Sequence, residues 1–223
     1  LAIMVLSYVG RWYKAYILNR DLKKTAAGTE KHQLSRTRVI TAIAILLVLI
    51  FSKYFYMASL TSYFTFYLID KFHVSVQTSQ IYLFVFLFSV AAGTLLGGPI
   101  GDKIGRKYVI WVSILGAAPF ALLLPHANLF WTGVLIVPIG MILASAFSAI
   151  LVYAQELIPG KVGLVAGLFF GFAFGMGGLG SALIGNLADK TSINHVFKVC
   201  AYLPLIGLIT AFLPNISTTR NAK

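Results

Sequence analysis

Long stretches of this chain carry no Asp, Glu, Lys or Arg, and short charged segments separate them. The uncharged runs cover residues 39–52, 54–69, 74–101, 108–155, 162–188 and 199–219. The first two flank a single lysine, Lys53. The run 108–155 is too long for one crossing, and Pro125, His126 and Asn128 supply a turn near its middle. The pattern predicts six apolar helices, at 39–69, 76–98, 108–124, 131–154, 163–186 and 193–213. At a rise of 1.5 Å per residue, each approaches the length that crosses a hydrocarbon core of about 30 Å.

Upstream, Leu1–Val9 is apolar but too short to span, and Arg11 follows it. Residues 1–10 read as the end of a truncated transmembrane helix, with an interfacial helix as the alternative. Residues 11–38 read as a basic loop, 39–214 as a six-helix bundle and 215–223 as a tail.

Composition narrows the class. Hydrophobic residues make up 59% of the 223 and charged residues 11%, where soluble domains carry about 25% charged. That excludes an ordinary soluble enzyme and a disordered chain. The single cysteine, Cys200, excludes an intramolecular disulfide framework. The net charge of +12 would suit nucleic acid, but its distribution does not. Eight of the 18 basic residues lie in 11–38, and most others stand singly between apolar runs, with no basic face on a soluble module.

The same charges set the sidedness. Segments 11–38, 99–107, 155–161 and the tail hold fourteen Lys and Arg. The opposite ends hold three: Lys71, Lys190 and Lys198. By the positive-inside rule the first set is cytoplasmic.

Several positions carry candidate chemistry. Lys53 sits in mid-span, where a lysine costs about 2.5–3.5 kcal/mol on insertion scales. At 100° per residue, Lys53, Tyr56, Tyr63 and Tyr67 share an arc of about 80°. One cation beside phenols suits an anion such as a phosphonate. Snorkelling or an interfacial tyrosine belt is the plainer alternative. Ser145, Ser148 and Gln155 share one face of the fourth span, as a second set of cavity candidates or as packing residues. Gly163, Gly167, Gly171 and Gly175 recur every four residues and predict a flat face for helix packing. Gly175, Gly177 and Gly180 match a dinucleotide fingerprint, but no strand precedes them and they lie inside a span. His73, His126 and His195 are isolated, so no metal site is expected, and no nucleophile–base arrangement or cofactor motif stands out.

The most specific string is Gly98-Pro99-Ile100-Gly101-Asp102-Lys103-Ile104-Gly105-Arg106-Lys107. It reads as a tight cytoplasmic hairpin, with Asp102 placed to cap a helix start and Arg106 within reach of it. It resembles the signature loop of the major facilitator superfamily, which follows the second helix of each six-helix half. Segments Phe51–Leu60, Val152–Gly160 and Gly167–Gly178 are in addition similar to the fosmidomycin-resistance efflux proteins.

The resemblance implies an all-α integral membrane fold, the C-terminal six-helix half of a twelve-helix facilitator. It implies multi-pass location in the cell inner (cytoplasmic) membrane. The implied partners are the lipid bilayer, a small anionic substrate, protons and an N-terminal half of the same polypeptide. The implied activity is proton-coupled efflux of a small anionic antibiotic. Uptake of an anionic metabolite and a non-transporting receptor with this fold are the alternatives. Glu156 would pair with Arg106 as a cytoplasmic latch, and Asp102 would face the other half. Asp21, Glu30, Asp70, Asp102, Glu156 and Asp189 all lie in loops or at helix ends. The proton-coupling carboxylate is therefore expected in the N-terminal half.

Overall fold

The computed structural model describes residues 35–213 apart from Gly105, without the side chains at 36, 101, 102, 106 and 210–212. The expectations for 1–10, the tail and nearly all of 11–38 lie outside the described residues. Helix α1 runs Arg36–Phe72, α2 Val76–Ile104, α3 Arg106–Leu115 and α4 Ala118–Leu123. A 3₁₀ turn at Leu124–His126 leads to α5, Leu129–Leu157. Then come α6, Val162–Lys190, α7, Ile193–Cys200, and a 3₁₀ stretch, Leu203–Phe212. The described residues contain no strand.

Five spans are long and apolar enough to cross a bilayer: Thr37–Phe72, Val76–Ile100, Lys107–His126, Leu129–Leu157 and Val162–Lys190. The sixth, Ile193–Ile209, is shorter and irregular. Its α-helix stops at Cys200, four residues before Pro204. A proline lacks the N–H for that turn, and its ring clashes with the carbonyl four residues back. The third span breaks at Gly116–Ala117, just before Pro119, for the same reason.

Local chemistry explains the junctions. The side chain of Asn128 accepts from the amide of Trp131 at 2.9 Å and starts α5. The hydroxyl of Ser192 accepts from the amide of His195 at 3.2 Å and starts α7. Such caps contribute about 1 kcal/mol each. His73, with φ 52°, turns the chain between α1 and α2, and Gly160, with φ 87°, does so between α5 and α6.

The signature segment differs from the expected loop. Its first part is helical: α2 continues through Ile104 despite Pro99, and α3 begins at Arg106. Asp102 therefore lies in the last turn of α2 and not at a helix start. A proline is tolerated inside a membrane helix because neighbouring helices and local adjustments satisfy the freed backbone groups.

Helix α1 is the central pillar and packs against α2, α5, α6, α7 and the final 3₁₀ stretch. Its residues Leu60, Phe64 and Leu68 meet Phe86, Ile136, Ile139, Ile184 and Phe197 in one core. The closest helix pair is α2 on α5. A Cβ on Gly93 would overlap the Met141 backbone, and one on Gly97 would lie 2.6 Å from the Ser145 Cα. From the other side, a Cβ on Gly140 would lie 3.0 Å from the Phe86 carbonyl oxygen. Lipid tails are as apolar as leucine, so helices associate here by close van der Waals contact.

By contrast, apart from neighbouring residues and backbone of α6 itself, no described atom comes within 4 Å of a Cβ built on Gly163, Gly167, Gly171 or Gly175. These four glycines are exposed on α6. Within the described bundle, intimate packing runs through Gly93, Gly97 and Gly140 instead. Accordingly, Gly93→Leu is expected to cost several kcal/mol, since a bulky side chain would have to displace backbone. Gly167→Leu should leave the bundle's own folding almost unchanged. Thermal unfolding of the two purified variants checks the contrast: equal loss in both would contradict it.

Candidate functional site

Lys53 lies near the middle of the 37-residue helix α1 and is 3% exposed. Its ammonium stands 5.4 Å from the centroid of the Tyr54 ring and 5.4 Å from that of Phe147 on α5. The two rings meet edge-on, 5.8 Å apart at 75°. Ring faces carry negative potential, so each attracts the cation. Among the described residues no carboxylate pairs with Lys53. The aromatic contacts therefore take the place that an ion pair normally fills at such a depth.

The tyrosine stripe shares a helix face and one core cluster, but its three hydroxyls are placed differently. Tyr56 is buried in the core among α1, α5 and α7, and no described group bonds its hydroxyl. Tyr67 stacks on Phe197, with centroids 4.2 Å apart, and donates to the Leu124 carbonyl at 3.3 Å. Tyr63 donates to the Ser181 carbonyl on α6 at 2.8 Å. Along α1 the stripe passes from the surroundings of Lys53 to Ser181 on α6 and Phe197 on α7. Helical phase places residues on one face but does not place them beside one another.

The serine candidates turn inward to their own helix. Ser145 donates to the Ile142 carbonyl at 2.8 Å, and Ser148 to the Ser145 carbonyl at 3.4 Å. Ser145 also forms the wall against which Gly97 packs. Glu156 is half-buried in the last turn of α5. The side chains of its expected partner Arg106 and of Asp102 lie outside the described residues.

Sequence reasoning missed a clamp at the other end of α1. Lys71 donates to the carbonyls of Pro125 at 2.7 Å and Ala127 at 3.0 Å, and to the Tyr67 hydroxyl at 2.9 Å. Nearby, Asn194 donates to Asp70 at 2.6 Å. These bonds tie α1 to the turn before α5 and to the start of α7. A lysine four residues after a tyrosine, opposite a proline turn, was the available signal. Among the described residues no three His, Cys, Asp or Glu side chains gather as a metal site.

An all-α bundle of apolar spans, with the signature segment between two of them and one charge held at mid-span, defines a multi-pass membrane protein of the facilitator kind. The sequence pattern of the Major Facilitator Superfamily matches residues 5–223, and the chain belongs to that family. It is a multi-pass protein of the inner membrane. It is 64% identical over 215 residues to the fosmidomycin resistance protein of Escherichia coli (strain K12), an alignment covering 96% of this chain and 52% of that protein. It is 39% identical over 217 residues to the uncharacterized MFS-type transporter YfnC of Bacillus subtilis (strain 168), covering 96% of this chain and 53% of the relative. An uncharacterized transporter of Buchnera aphidicola is 27% identical over 150 residues, or 65% of this chain and 36% of its own. The chain spans about half the length of the first two relatives.

Proposed function

We propose that this chain is the C-terminal half of a proton-coupled exporter of small anionic antibiotics of the fosmidomycin type. The observation that carries the reading is Lys53: one ammonium, buried at mid-span with no described carboxylate beside it. Such a charge is retained where it meets a ligand, a partner or water. Its sign suits an anion, and the name of the 64%-identical relative agrees with an anionic antibiotic. The least covered spans, α2 and α6, leave apolar faces for an N-terminal half to meet. Rocking of the two halves around a midplane site would give alternating access. Segment 11–38 would be the cytoplasmic loop joining the halves, and Glu156 with Arg106 the latch on that side.

Fosmidomycin flux in proteoliposomes carrying the full-length polypeptide tests the reading. Transport above protein-free vesicles is expected. Binding without flux would favour a receptor.

A further inference from the structure

Aromatic rings lead outward from Lys53 in an unbroken series. Phe147 meets Phe170 on α6 edge-on, with centroids 4.9 Å apart at 70°. Phe170 then stacks on Phe174 at 6.2 Å and 18°. Exposure rises along the series, from 3% at Lys53 to 39% at Phe170 and 70% at Phe174. Among the described residues, a buried charge thus stands at one end of an aromatic wall whose other end is exposed on α6. The wall crosses from α5 to α6 and meets α1 at Tyr54.

The rings also decide what the ammonium has left to offer. An ammonium has three N–H donors. Attraction to a ring face holds the cation without giving those donors an oxygen acceptor. Of the phenols expected to help, Tyr63 donates to α6, and Tyr56 is sealed in the core with no described group bonding its hydroxyl. The two contacts given to the ammonium are ring faces, Tyr54 and Phe147, which favour a flat or apolar group beside them.

We propose that the site takes organic oxyanions with an aromatic or apolar body, the charge meeting Lys53 and the body lying along Phe147, Phe170 and Phe174. Phe170 is then a specificity-determining residue, and Tyr54 and Phe147 position the ammonium. This rests on the anion-site reading above and adds a substrate class to it.

Two probes of equal charge separate the parts: phenylphosphonate and methylphosphonate, titrated against the purified full-length polypeptide in lipid nanodiscs. Wild type should prefer phenylphosphonate by roughly tenfold, as expected for one well-placed aromatic contact with its buried area. Phe170→Leu should remove most of that preference, chiefly by weakening phenylphosphonate, and Phe170→Tyr should keep the preference. Thermal unfolding of the variant close to wild type shows that it is folded. An intact preference in Phe170→Leu, or no preference in wild type, overturns the proposal. Equal loss of both probes also overturns it, because Phe170 would then only pack helices. Lys53→Gln should lose both probes. If it binds both as wild type does, the anion-site reading itself fails. If it loses both while Phe170→Leu keeps the preference, only the aromatic wall fails.

Discussion

Replacing Lys53 by glutamine is expected to lower fosmidomycin affinity by roughly a hundredfold, while the protein still inserts and folds. A charge-assisted hydrogen bond is worth about 1.5–3 kcal/mol, and about 2.7 kcal/mol is a hundredfold. Folding should survive because Gln sheds the cost of a mid-span charge and breaks no described ion pair. Lys53→Arg keeps the charge but spreads it over a planar fork that the Tyr54–Phe147 corner was not built to hold. It should retain part of the affinity. Calorimetric titration of the full-length polypeptide decides it. Wild-type affinity in Lys53→Gln would make the lysine a structural charge.

The second large effect is expected at the end of the bundle that bears the signature segment. Glu156 closes α5 just before Gly160, and Arg106 opens α3. If the two form a latch when the inside is closed, reversing either charge turns attraction into repulsion. Arg106→Glu or Glu156→Arg alone should reduce flux about tenfold or more, as exposed pairs give up to about 1 kcal/mol and repulsion adds to the loss. The double reversal should restore part of the flux. Folded double variants without rescue would count against a latch.

Much of the fold was legible in the charge pattern. Uncharged runs located the spans, and Pro125, His126 and Asn128 located the turn before α5, where Asn128 does cap the helix. The departures have local causes. Pro204 splits the sixth span, and α2 runs on past Pro99. The candidate site was legible only as far as Lys53 itself. A buried cation is visible in a sequence because charge is rare in a span. Its ring neighbour Phe147 is one of 17 phenylalanines, and nothing in periodicity tells which one crosses to another helix. The same limit applies to the glycines. Regular spacing marks Gly163–Gly175 as a flat face, whereas close approach within the described bundle depends on which face meets which helix and falls at Gly93, Gly97 and Gly140.

The central claim is export of an anion in exchange for protons. An imposed pH gradient across proteoliposomes of the full-length polypeptide tests it most directly. Proton exit should drive the exchanged substrate inward whichever way the protein is inserted. The account predicts that vesicles with an acidic lumen accumulate labelled fosmidomycin and lose it when an ionophore collapses the gradient. Accumulation only when the outside is acidic would mean co-transport with protons and would contradict the account.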